Sequence, residues 1–245
     1  MFEKLRYGLQ GIRFYIALTS VIVTLETVWW AHIAYGGSTL YPTRIEEVYA
    51  WLAVGLLTLA VSIGPLYKLF PKAPGKLLLQ DARRWIGISA AWFSLLHVLI
   101  AYFTLFKGSN PLQLPKVYQQ AFALGVIALI ILLAMALTSF DKAFKAMGIW
   151  WFRLHRLVYV AILLILMHAF LIGVHATELP VLIILSAIAA ILIIAYIWIA
   201  FVRRRPSIWQ MVTILYMLLL LLAILNYGFT QHFGHNPIEG SHVHH

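Results

Sequence analysis

The amino-acid sequence predicts an all-α fold: a polytopic membrane helix bundle of seven transmembrane helices, N-terminus inside and C-terminus outside. Three observations carry that prediction. Of 245 residues, 63% are apolar and 11% charged, with a mean hydropathy of +0.90; a soluble domain usually carries about 25% charge and 45–50% apolar residues. Seven runs approach the roughly 20 apolar residues that a helix needs to cross the hydrocarbon. Lys and Arg segregate between alternate connections, as the positive-inside rule requires.

The runs are 14–34, 48–67, 85–106, 118–138, 152–174, 179–202 and 208–227. The first is too long for a signal peptide, and no small-residue cleavage site follows it. Gly36-Gly37, Pro71 to Gly75, Gly108 to Pro115, Pro180 and Pro206 break the helical pattern between runs. With the N-terminus inside, fifteen Lys and Arg fall on the inner side and only Arg44, Lys107 and Lys116 on the outer. The net charge of +10 is therefore read as a topology marker, and nucleic acid is not expected as a partner. Neither internal repeats nor a segment long enough for a soluble domain interrupts the pattern, so residues 1–245 are read as one membrane domain.

Ionisable side chains inside the bilayer are costly and usually face the bundle interior. Those to be explained are Glu26, His32, His97, His155, His168 and His175. His97 lies 13 residues past Arg84 and His168 lies 15 past Arg153, depths of about 20 and 22 Å at 1.5 Å per residue. Two histidines at matched depth on helices running the same way suit a bis-imidazole haem, each supplying one axial nitrogen. Gly87, Ala90, Ala91, Ser94 and Ala101 flank His97 and leave room for a flat macrocycle. The same residues equally suit close helix packing, with each histidine an interhelical hydrogen-bond donor. His155 precedes His168 by 13 residues, about 220° around a straight helix, so a kink or π-bulge is needed to bring both to one interior. His32 and His175 read as interfacial. The chain has no cysteine, which excludes disulfides, iron–sulfur clusters and covalently attached haem.

Two motif groups resemble a known family. Gln80-Asp81-Ala82-Arg83-Arg84-Trp85-Ile86-Gly87 with Leu96-His97 forms one. Leu137-Thr138-Ser139, Gly148-Ile149-Trp150, Arg153-Leu154-His155-Arg156-Leu157-Val158-Tyr159 and Met167-His168 form the other. In order and spacing they resemble the ferric reductase-like transmembrane haem proteins across about residues 47–175. Within that family they are most similar to the membrane haem-binding subunits of bacterial periplasmic methionine sulfoxide reductase systems. The resemblance implies a haem core over 47–175; residues 203–245, a further helix and a His-rich outer tail, depart from the six-helix relatives. It implies a b-type cytochrome, an oxidoreductase subunit of the inner membrane that passes electrons outward. His97 and His168 match haem ligands. His155 matches an additional histidine; from its position it reads either as a loop-facing interfacial histidine or as a ligand to a second haem or a contact for a flavin. Arg83 stands where two-haem relatives place a fourth histidine.

With no G-x-G-x-x-G in the chain, reductant is expected from a separate cytoplasmic flavin reductase, carrying FMN or FAD, or from quinol. The acceptor is expected to be an extracytoplasmic oxidoreductase or a ferric or cupric ion. Arg83, Arg84, Arg153 and Arg156 suit haem propionates or flavin phosphates, or simply mark the positive side with its aromatic belt. Glu26 reads either as a proton relay for quinol oxidation or as a neutral acid bonded to a neighbouring helix. The tail histidines, His232, His235, His242, His244 and His245, suit metal capture or a flexible tail or tag. The reading from another class is a seven-helix transporter or receptor-like protein without a redox cofactor.

Overall fold

The computed structural model describes residues 2–69, 75–105, 107–108 and 110–172. The sixth and seventh runs, His175 and the tail histidines lie outside the described residues. Everything described is helix or short connection, and five of the described helical segments are long and apolar enough to cross a membrane.

Helix α1 (Phe2–Tyr35) ends at Gly36-Gly37, where Gly37 takes φ 83°, a left-handed conformation that glycine adopts without steric cost. The Ser38 hydroxyl then accepts the Leu40 N–H at 3.2 Å and opens α2 (Leu40–Leu69). Pro42 sits in the first turn of α2, where a missing N–H breaks no helical bond. Helix α3 (Lys76–Ile100) continues into a π-helical turn over Ala101–Leu105. A short 3-10 turn at Pro111–Gln113 leads to α4 (Lys116–Leu137). Two short helices follow, α5 (Asp141–Met147) and α6 (Ile149–Arg156), and then α7 (Val158–Ile172). The single helix read from the fifth apolar run is thus two. At Leu157 the backbone N–H reaches back only three residues, to the Leu154 carbonyl at 2.9 Å, and this tightened turn separates α6 from α7.

Helix α3 is the hub, packed against α2, α1 and α4. One buried cluster joins Leu57 and Val61 of α2, Ala90 and Ala91 of α3, Leu132 of α4, and Val158 and Ala161 of α7. Alanines at this crossing let the backbones approach, which substitutes in lipid for a hydrophobic driving force. Ala90 and Ala91 are therefore filled by protein packing. A second cluster joins Ala31, Ile45, Tyr49, Ala53 and Phe93. Polar stitches cross between helices: Tyr49 OH donates to the Thr24 carbonyl at 2.9 Å, Trp92 Nε1 to Thr24 Oγ1 at 3.0 Å, and Ser20 pairs with Ser89 at 2.7 Å. Such bonds average about 0.6 kcal/mol in membranes. Phe14, Leu25, Trp29 and Ile33 of α1 and Ile127 and Ile130 of α4 point outward, the arrangement hydrocarbon solvent favours.

At the basic end, Arg13 of α1 forks onto Asp81 of α3 at 2.7 and 2.8 Å and reaches Asp141 of α5 at 3.1 Å. Arg84 meets the other Asp141 oxygen at 3.0 Å. The Arg13 hydrogen bond holds the Asp141 carboxyl below the usual carboxylate range, aided by the charges of Arg13 and Arg84. A depressed folded pKa adds stability above the unfolded value of about 3.9, lost as pH falls through the folded one. Asp141→Asn is therefore expected to flatten the acid limb of the stability profile. Because the side chain is 55% exposed, the effect should be about 1 kcal/mol or less. Thermal unfolding of the detergent-solubilised protein from pH 6 downward measures it.

Candidate functional site

Each histidine placed inside the membrane needs a partner for its ring N–H, because an unsatisfied polar group in hydrocarbon costs several kcal/mol. His97 lies in the last turn of α3, just before the π-helical turn. Its Nδ1 is 2.8 Å from Glu46 Oε1 and 3.3 Å from the Glu46 carbonyl. His168, on α7, donates from Nδ1 to the Ala121 carbonyl of α4 at 2.8 Å. Both partners are acceptors, so each ring carries its proton on Nδ1 and leaves the Nε2 lone pair free. Among the described residues nothing hydrogen-bonds to either Nε2.

The two rings stand 6.2 Å apart, centre to centre, at 88°. A first-row metal ion binds imidazole nitrogen at about 2.0–2.1 Å. The two rings are therefore near enough to serve one site. No group of three or more His, Cys, Asp or Glu side chains suited to a metal occurs among the described residues. Two imidazoles alone would suit an ion whose other ligands come from a macrocycle, so His97 and His168 are the residues that would hold a haem.

Gly125 makes the His168 position possible. A Cβ there would lie 2.8 Å from His168 Nδ1 and 3.0 Å from Cε1, inside van der Waals contact. The ring lies against bare backbone, one turn from the carbonyl that receives its proton. Four helices thus meet at the pair: α3 and α7 carry the rings, while α2 and α4 fix their tautomers.

His155 stays apart from this arrangement. Its Nδ1 is bonded to the Trp151 carbonyl at 2.9 Å, Nε2 lies 3.3 Å from Ser139 Oγ, and the ring stacks on Trp151 at 3.7 Å. Trp151 is itself anchored through Nε1 to the Thr138 carbonyl at 2.8 Å. Arg84 lies over the Phe144 and Trp151 rings at 5.1 and 5.5 Å, besides its bond to Asp141. Arg153 covers Trp150 at 4.5 Å. Arg83 and Arg156 are exposed, and the Arg83 guanidinium lies beside Gly64. His32 is exposed at the end of α1, edge-on to Tyr41. Glu26 is exposed on α1, and no described residue pairs with it.

Residues 48–166 match the family described as ferric reductase like transmembrane component. The chain is 34% identical over 143 residues to the protein-methionine-sulfoxide reductase heme-binding subunit MsrQ of Pasteurella multocida (strain Pm70), covering 57% of this chain and 68% of that protein. It is 31% identical over 169 residues to MsrQ of Yersinia pseudotuberculosis serotype O:1b (strain IP 31758), covering 67% and 81%. The chain belongs to the ferric reductase-like transmembrane family. MsrQ of Yersinia pestis (strain Pestoides F) is likewise 31% identical over 169 residues, 67% of this chain and 80% of that protein. No solved structure matches the chain. The family segment contains His97 and His155 and ends two residues before His168.

Sequence reasoning missed Glu46, the Ala121 carbonyl and Gly125. For Glu46 a signal existed: the apolar run begins at residue 48, but the helix continues back to Leu40, so an acid just before a run still lies on the spanning helix. A backbone carbonyl leaves no mark on a sequence.

Gly125→Ala should displace the His168 ring and break its bond to Ala121. Overpacking of this kind costs about 1–3 kcal/mol, readable as a lower unfolding temperature, whereas Gly55→Ala, where a Cβ meets nothing within 4 Å, should change little.

Proposed function

We propose that this chain is a b-type cytochrome that conducts electrons across the cytoplasmic membrane, holding one haem between His97 and His168. The observation that carries the reading is the pair of rings from two helices, 6.2 Å apart centre to centre, each bonded at Nδ1 and open at Nε2. Haem bound there supplies a one-electron Fe(III)/Fe(II) couple held by neutral imidazoles. The chain's own part is to fix both tautomers before binding, to exclude water with the surrounding apolar helices, and to place the site in a low dielectric. The names of the relatives support haem as the group, and a protein-methionine-sulfoxide reductase as the assembly served.

The full arrangement comprises seven crossings, with the basic end in the cytoplasm and the C-terminus outside. Residues 47–175 form the haem core, and residues 203–245 add a helix and outer tail. Electrons enter at the basic end from a reduced flavin carrier or quinol and leave to an extracytoplasmic oxidoreductase. A single haem is favoured because both His155 nitrogens already lie within hydrogen-bonding reach of Trp151 and Ser139. Arg83, Arg153 and Arg156 remain candidates for binding an anionic donor at this end, while Arg84 is engaged with Asp141.

The test is the absorption spectrum of protein purified from membranes. Wild type should show a Soret band and a reduced-minus-oxidised α-band at one haem per chain. His97→Ala and His168→Ala should lose it, and His155→Ala should keep it. A colourless wild-type protein would leave the transporter or receptor-like reading in place, and loss of half the haem in His155→Ala would restore the two-haem arrangement.

A further inference from the structure

The two histidines are alike in sequence and unlike in their surroundings. His168 gives its Nδ1 proton to a neutral backbone carbonyl. His97 gives its proton to one residue twice over, the Glu46 carboxyl at 2.8 Å and the Glu46 carbonyl at 3.3 Å. Both side chains of this second pair are largely shielded, 19% exposed for His97 and 17% for Glu46. The register that joins them is set by packing. Tyr49, one turn along α2 from Glu46, and Phe93, one turn before His97, are both buried and meet at 5.7 Å between ring centres. Tyr49 is pinned in turn to the Thr24 carbonyl of α1. Glu47, next in sequence, turns instead to Arg44 at 2.7 Å, so the two adjacent acids have separate duties.

A carboxyl acceptor on the Nδ1 side of a ligating imidazole fixes the ring's tautomer and orientation and raises the basicity of the other nitrogen. A more basic axial ligand favours Fe(III) over Fe(II), and hydrogen bonding around the ligands is one of the protein's levers on haem potential. We propose that Glu46 is a positioning residue for the electron-transfer site: it holds His97 with Nε2 presented to the iron and makes His97 the stronger donor of the two ligands, lowering the reduction potential of the bound haem. This inference rests on the haem reading given above. A helix-to-helix hydrogen bond with no influence on the iron is the competing account. It predicts effects on stability alone.

The experiment uses the full-length protein in detergent, with Glu46→Gln, Glu46→Leu and, as control, Glu47→Gln. Haem content, apparent haem affinity and midpoint potential by optical titration are read for each. Glutamine keeps an acceptor oxygen of the same reach but carries no charge, so Glu46→Gln should retain haem at a higher midpoint potential. Each tenfold loss of preference for Fe(III) over Fe(II) reads as about 59 mV for a one-electron couple. Leucine removes the carboxyl acceptor and leaves only the more distant backbone carbonyl, and haem affinity should fall about 10–100-fold, the usual effect of deleting such a partner. Glu47→Gln should match wild type in potential and haem content. A Glu46→Gln protein with wild-type potential would overturn the inference while leaving the haem site standing, whatever Glu46→Leu does to folding. Absence of haem from wild type would overturn both.

Discussion

An imidazole N–H inside a hydrocarbon-facing helix bundle has no water to bond, and the rest of this structure follows from how that demand is met. His97 and His168 each find an acceptor on a neighbouring helix rather than on their own. The acceptor decides which ring nitrogen carries the proton, and thereby which one is left to bind. His155 meets the same demand within its own helix, through the Trp151 carbonyl one turn back. Its second nitrogen turns to Ser139. The chemical difference between the open pair and the closed third histidine is a difference of partners.

Packing makes those partners available. Alanines at the α2, α3, α4 and α7 crossing bring the backbones close, Gly125 lets an imidazole lie on the α4 backbone, and the Tyr49–Phe93 contact aligns α2 with α3. At the other end, Arg13 and Arg84 tie α1, α3 and α5 together through Asp81 and Asp141. The site and the clamp share one scaffold, α3, which bears Asp81 and Arg84 near its start and His97 in its last turn. The arginines expected to bind anions also turn out to have local work: Arg84 bridges an acid and two aromatic rings, and Arg153 lies over Trp150.

Much of this was legible beforehand. The five described helices long and apolar enough to cross a membrane lie over the first five apolar runs, because desolvating twenty residues is a signal that no local detail overrides. Equal depth on parallel-running helices pointed to His97 and His168, since helical rise converts residue number to distance. The break at Leu157 was not legible: an angle of 220° on a straight helix said only that a bend would be needed for His155 and His168 to share an interior, and His155 stays with Trp151 and Ser139. The clamp was not legible, because Arg13 and Asp81 are 68 residues apart, and charge at a membrane end is expected whether or not it pairs.

By itself, then, the sequence determined an apolar, membrane-type medium, five helices long and apolar enough to cross it, and the family, and it singled out two histidines as candidates, all from composition, motifs and spacing along one chain. Only the tertiary structure decided what each histidine can do. The deciding contacts are a carboxyl from α2, a carbonyl from α4 and a glycine with no side chain. The tautomer depends on atoms within about 3 Å, and those atoms come from residues whose separation along the chain carries no record of the encounter.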